Sequence, residues 1–201
     1  MIDEGYTKFR VEWHDRRPVA FPEVAELSRW RTALHDAGLI GSYPDSGIGY
    51  GNVSVRIEGD AFLISGTRTG EHRHTDHRHY ALVTHADLET NSVTCRGAVQ
   101  ASSESLTHAA IYGLDATIGA VAHVHDDILW RRLLGTLPTT DAAAAYGTVA
   151  MARELARLYR DSDLPRRGVA VMAGHESGII GFGRDPREAA ARILSLRAEG
   201  C

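Results

Sequence analysis

His123-Val124-His125 ends an apolar, valine-rich run that begins at Ile118. Residues two apart in a strand point to the same face of the pleat. Two imidazoles at that spacing can therefore reach one cation, since zinc–nitrogen bonds are about 2.0–2.1 Å long. His175 offers a third ring. It follows a second apolar run, GVAVMAG, inside the turn Gly174-His175-Glu176-Ser177-Gly178. A catalytic zinc commonly takes three protein ligands and keeps a position open for water or substrate. His123, His125 and His175 are thus expected to hold one divalent metal ion, zinc in the first instance. The alternative is a set of satisfied, partly buried histidines at strand ends. The chain has 11 histidines, and His72, His74, His77 and His79, beside Glu71 and Asp76, compete for the same role. No apolar strand holds those rings rigid, so a solvated loop is expected there.

The elements that must position these side chains follow from hydrophobic period. Val24, Leu27, Trp30, Leu34 and Ala37 recur at helical spacing behind Phe21-Pro22, and Gly38 ends the pattern. SGIGYGN, residues 46–52, is a glycine-rich turn. NVSVR and AFLIS, joined by Glu58-Gly59-Asp60, read as a hairpin. Residues 66–79 show no period and form a loop, while YALVTH and SVTCR read as strands. Helical spacing returns over 103–114, 127–134 and 141–159, and a last helix is expected from Pro186 to Leu196. IGAVAHVH and GVAVMAG are buried-strand candidates, and GIIGFG follows them. Residues 1–20 read as an irregular arm. The mixture of hairpins and helices points to a single α/β domain over residues 1–201 with a mainly antiparallel or mixed sheet.

A chain of 201 residues suits one domain. Its net charge of -4 gives no basic footprint for nucleic acid and no polybasic patch for a membrane surface. Any anion site must therefore be local. Cys95 and Cys201 form no Cys-x-x-Cys pair and are expected to be free thiols. The first residues are charged rather than apolar, so no leader is expected. No window approaches the roughly 18 apolar residues of a membrane span. A cytoplasmic location is expected.

Taken in order, GNVSVR (51–56), ISGTRTG (64–70), ASSESLTHAAIY (101–112), GAVAHVHD (119–126) and GHESGIIGFG (174–183) form a set. This set resembles the class II aldolase/adducin family, from about Val24 to Leu196. The family includes fuculose-phosphate and rhamnulose-phosphate aldolases, ribulose-phosphate 4-epimerase and methylthioribulose-phosphate dehydratase. The resemblance implies a three-layer αβα domain with a central, mainly antiparallel sheet. It matches the family's zinc histidines to His123, His125 and His175, and its acid/base glutamate to Glu104. It matches the phosphate site to Ser102, Ser103, Gly51 and Asn52, with Thr69 and Gly70 nearest to the family's Thr-Gly pair. It also implies a homo-oligomer, a tetramer, with sites at subunit boundaries. These matches make chemical sense. Glycines let backbone amides turn toward an anion. Asn52, Ser102 and Ser103 add neutral donors, and the helix after Ser103 would face the anion with its positive end. A glycine turn and an ordinary N-cap would explain the same residues without a ligand. His108, four residues after Glu104, is expected to pack beside it or support it.

The expected activity is a zinc-dependent aldolase that acts on a small sugar phosphate through a metal-stabilised enolate, with Glu104 moving the proton. Epimerisation and dehydration share that chemistry. A hydrolase, or a non-catalytic adducin-like binding module, would be a different class. Retention of the histidines with Glu104 favours an enzyme. Three features depart from the family pattern. Glu176 and Ser177 stand between His175 and the glycine. LPTTDAAAAYGT (137–148) is shorter than the aldolase segment that carries a tyrosine across a subunit boundary, and Tyr146 is the nearby tyrosine. A C-terminal catalytic tail is not expected.

Overall fold

The computed structural model describes residues 6–198. In chain order the elements are β1 (Arg10–His14), α1 (Glu23–Asp36), β2 (Gly41–Ser42), β3 (Gly49–Tyr50), β4 (Asn52–Glu58), β5 (Ala61–Ser65), β6 (Tyr80–Asp87) and β7 (Ser92–Arg96). They continue with α2 (Ser105–Tyr112), β8 (Ala120–His125), α3 (Asp127–Leu133), α4 (Val149–Asp161), α5 (Leu164–Arg167), β9 (Val169–Val171), β10 (Gly178–Gly183) and α6 (Pro186–Ala198). The main sheet has eight strands in the order β1-β7-β6-β5-β4-β8-β10-β9, and β2 and β3 form a small ribbon of their own. Within the main sheet β1 runs parallel to β7, and the other neighbours pair antiparallel.

Side-chain alternation turns this sheet into the middle of three layers. Along β5, Phe62 and Ile64 join a core with Leu106 and Ile111 of α2 and Met151, Leu155 and Leu158 of α4. Leu63 points the other way, into a core with Val24, Leu27 and Leu34 of α1, Leu129 of α3 and Ile193 of α6. Each such side chain, fully buried, stabilises the fold by roughly 1.5–3 kcal/mol. This is the α/β, three-layer αβα arrangement that the sequence led us to expect, with a mainly antiparallel sheet.

The same alternation places the chemistry. On β8, Ala120, Ala122 and Val124 belong to the core with α1 and α6, so His123 and His125 share the opposite face, toward α2 and α4. On β4, Val53 and Val55 take the α1 side. Asn52 and Ser54 then face the same way as His123, and Asn52 stands directly opposite it in register.

Several boundaries differ from expectation. Residues 10–14 of the supposed irregular arm form an edge strand. Their faces alternate between exposed and half-buried, and this one-sided cover leaves little apolar signal. Helix α4 begins at Val149, not at 141. Thr148 caps it by accepting from the Met151 amide, and Gly147 just before it has φ +64, which a helix cannot accommodate. The short α5 carries no signal of its own in the apolar period. α2 starts at Ser105, with Glu104 at its N-cap. Arg31 of α1 is fully buried, although nothing in the apolar period marks it. Its guanidinium donates to the carbonyls of Thr69 and His72, both at 2.6 Å, and so ties loop 66–79 to the helix.

Candidate metal centre

β8 lies between β4 and β10, and its last turn of pleat brings His123 and His125 to the α2 side. β10 runs antiparallel beside it, with Gly178 opposite His125 and Ile180 opposite His123. Gly178 is what admits the third ring. A Cβ there would stand 3.1 Å from Cγ of His175 and 3.2 Å from Cε1 of His123, tighter than ordinary contact. The loop before it folds back on itself through His175 N donating to Met172 O at 3.1 Å and Gly178 N donating to His175 O at 2.9 Å.

The three histidines are buried, and their ligand atoms all lie within 4.8 Å of one another. Ring centroids form a near-equilateral triangle, at 4.9, 4.9 and 4.7 Å. His123 Nδ1 faces the Ile179 carbonyl at 3.2 Å. A carbonyl only accepts, so Nδ1 carries the proton and Nε2 keeps its lone pair. That nitrogen lies 3.0 Å from Nε2 of His125. Two nitrogens bound tetrahedrally to one zinc at about 2.05 Å stand roughly 3.3 Å apart, so the pair is spaced for a shared ion. Burial first, and then the neighbouring imidazoles, hold His123 and His125 well below the ordinary histidine range. Both are therefore neutral, the form that ligates metal. The donor set fits a divalent ion of the zinc type.

Glu104 is buried beside the triad. Its Oε1 lies 3.3 Å from His175 Nδ1 and 3.9 Å from His123 Nε2, within reach of a group bound at the three rings. One turn along α2, His108 is fully buried, and burial pushes it down to about 3. Its Nδ1 meets Ser54 Oγ at 2.7 Å, and Ser54 Oγ meets Tyr112 Oη at 2.7 Å. If Tyr112 donates to Ser54 and Ser54 to Nδ1, each hydroxyl proton in the chain finds an acceptor, and His108 keeps its proton on Nε2.

Three tyrosines frame the centre, and two of them, Tyr43 and Tyr50, were not singled out as site residues in the sequence. Tyr43 Oη lies 3.0 Å from His125 Nδ1, so it holds the ring nitrogen that faces away from His123. Tyr50 packs on Tyr43 and His125, at centroid distances of 4.8 and 5.6 Å. Tyr43 follows β2 and Tyr50 ends β3, and their place at the glycine-rich turn was the available signal. Tyr146 stacks on His175 at 4.4 Å. Its hydroxyl contacts the backbone of Tyr6, so within the chain it packs rather than points at the triad.

The other sequence-marked residues fall into two groups. Asn52 pairs with His123 across the β4–β8 ladder, Gly51 precedes it, and Ser102 and Ser103 lead into Glu104. Ser102 Oγ accepts from the Glu104 amide at 3.2 Å. Gly51, at φ +74, is pressed against Ile40 and the His123 carbonyl. Thr69 and Gly70 fix loop 66–79 within itself and against β2 and α1. The Thr69 hydroxyl donates to Gly66 O at 2.7 Å, and a Cβ on Gly70 would stand 2.1 Å from Gly41 O. Among the described residues the histidine-rich loop gathers no such metal-capable group. Glu176 is 79% exposed and lies 3.8 Å from Arg131.

The sequence profile of the Class II Aldolase and Adducin N-terminal domain matches residues 46–198. The chain belongs to this family. Among solved structures, L-fuculose-1-phosphate aldolase from Thermus thermophilus is similar with a TM-score of 0.62 and 20% identity, over 87% of this chain and 89% of that one. A sugar-phosphate aldolase from Thermotoga maritima follows at 0.60 and 16%, over 88% and 90%. The N-terminal class II aldolase domain of a conserved protein from Thermoplasma acidophilum gives 0.53 and 16%, over 90% and 95%. At these identities the likeness establishes the class II aldolase fold. No curated protein matches the chain. No helix among the described residues is long and apolar enough to cross a membrane.

Proposed function

We propose that this class II aldolase-family protein is a divalent-metal-dependent lyase that cleaves or forms a carbon–carbon bond in a small sugar phosphate. One observation carries the reading: a buried carboxylate, Glu104, stands within 3.3–3.9 Å of two members of a buried three-histidine cluster. His123, His125 and His175 would hold the ion, zinc in the first instance, which when bound supplies the Lewis acidity that stabilises an enolate. Glu104 takes up and returns the proton on the carbon beside the carbonyl. Gly51, Asn52, Ser102 and Ser103 grip the phosphate, with Thr69 and Gly70 behind them, and this remote binding positions the reacting end. Buried Asn52 Oδ1 and His108 Nε2 have no hydrogen-bond partner among the described residues. Such atoms are rare in packed interiors and favour a polar ligand. The similar fold of a fuculose-phosphate aldolase and of a sugar-phosphate aldolase supports the substrate class. By the same family analogy the protein works as a cytoplasmic homotetramer.

The test is a panel of ketose 1-phosphates with metal-loaded protein. Release of an aldehyde and dihydroxyacetone phosphate supports the aldolase. A dehydrated ketone or an epimer as sole product replaces it with a dehydratase or epimerase. Glu104→Gln is expected to keep its metal and lose about 10²–10⁴-fold in kcat, the usual contribution of a general acid–base group. Unchanged turnover in that variant removes Glu104 from the chemistry.

A further inference from the structure

Of the three histidines, His175 alone stands outside the sheet. His123 and His125 are held by β8, and each has a ring nitrogen facing an oxygen, at Ile179 O and Tyr43 Oη. His175 lies in the turn before β10. The torsion that rotates an imidazole about its bond to Cβ is broad and roughly two-fold. On a turn, that rotation needs a restraint of its own. Glu104 Oε1 meets one edge of the ring, at Nδ1. The plane of the ring needs a flat surface against it.

Tyr146 supplies that surface. Its ring centre lies 4.4 Å from that of His175, with 26° between the planes, and the residue is fully buried. His175 covers one face of the tyrosine. Lys8 Nζ stands 3.7 Å from the centre of the same ring and so takes the other face, as a cation–π contact. The hydroxyl is gripped by Tyr6, whose N–H donates to Oη at 3.3 Å and whose carbonyl accepts from it at 3.4 Å. The Lys8 carbonyl in turn accepts from the Asn91 side chain at 2.9 Å, and Arg10 N donates to Asn91 O at 2.9 Å. The segment is thereby pinned to the β6–β7 turn before it enters β1. The loop that carries Tyr146 is seated as well, since Gly147 N donates to Thr107 Oγ1 at 3.3 Å. Three stretches far apart in sequence meet in one stack of Lys8, Tyr146 and His175.

We propose that Tyr146 is a positioning residue for the third metal ligand, setting the plane of the His175 ring, and that through this stack the segment carrying Tyr6 and Lys8 is coupled to the metal centre. The proposal rests on the metal-centre reading. It adds to that reading a group that touches neither ion nor substrate.

The test is the zinc affinity of the full chain, by chelator competition, in wild type, Tyr146→Phe and Tyr146→Leu. Tyr146→Phe keeps the flat face and loses only the hydroxyl, so its affinity should stay within about twofold of wild type. Tyr146→Leu occupies the space without a flat face. It should weaken zinc by about threefold to tenfold, the worth of one aromatic pair, and alter the visible bands of the cobalt-loaded protein, which report ligand geometry. Coupling between sites is reciprocal, so zinc should slow hydrogen exchange of the Tyr6 amide in wild type by a similar factor. This last measurement needs no variant to fold. The proposal is overturned if Tyr146→Leu matches wild type in affinity and cobalt spectrum, if Tyr146→Phe loses as much as Tyr146→Leu, or if zinc leaves Tyr6 exchange unchanged. Each of those outcomes leaves a wild type that still binds zinc; a wild type that binds none overturns the metal centre itself.

Discussion

His125 uses both ring nitrogens. Nε2 faces His123 at 3.0 Å, and Nδ1 meets Tyr43 Oη at 3.0 Å. For Nε2 to offer a lone pair to a metal, Nδ1 must carry the proton and donate it to the tyrosine oxygen. That contact then fixes both the tautomer and the ring angle. Groups that orient a ligand in this way typically carry ten- to hundredfold of metal affinity. Tyr43→Phe keeps the ring packed on Tyr50 and removes only the hydroxyl. Chelator competition should therefore show zinc affinity lower by about ten- to hundredfold, with apo-protein stability little changed; equal affinity would make Tyr43 a packing residue. The two histidines of β8 were legible because they sit two apart at the end of an apolar run. Tyr43 was not, because it meets His125 across 82 residues, and nothing local in its sequence records that contact.

Elements decide whether three distant rings can meet. Two strands were legible for a physical reason: β8 and β9 are buried along their whole length, so they read as apolar runs. Residues 141–148 misled because Ala142–Ala145 are strong helix formers. Packing overrides that propensity there. Gly174, just before His175, is pressed so closely on this segment that a Cβ would stand 2.1 Å from Ala144 O. Backbone on both sides leaves no flexible side chain to yield. Gly174→Ala should destabilise the fold by about 1–3 kcal/mol, the usual range for overpacking, and should weaken zinc binding, since the His175 turn must move. Urea denaturation and zinc titration of the folded variant check both parts. An unchanged zinc affinity would mean that the turn is not held by this contact.

At the scale of the whole molecule, the sheet buries its polar residues on the face toward α2 and α4. His108 is pushed down to about 3, and His123 and His125 are lowered as well. The unfolded chain takes up protons on these groups below about pH 6.5, while the folded chain refuses them. Stability of the metal-free protein should therefore be full above that pH and fall toward pH 3, by about 1.4 kcal/mol per pH unit for each group that titrates this way. Urea midpoints at pH 7.5 and pH 5.0 test this before most carboxylates titrate; a midpoint that stays level or rises at pH 5.0 contradicts it. A single α/β domain with a mainly antiparallel or mixed sheet was legible from the mixture of hairpins and helices, and its three layers followed from the family resemblance, whereas the parallel edge strand β1 was not legible, since its residues alternate between exposed and half-buried.

The most direct measurement is the metal content of protein equilibrated with zinc and then desalted. Wild type should retain about one ion per chain, as a three-histidine site predicts. Folded His123→Ala and His175→Ala should each retain less than about a tenth of that, because a site with two nitrogen ligands falls short of the usual three. Wild type that emerges without zinc, or variants that keep it in full, would contradict the metal centre and with it the chemistry assigned to Glu104.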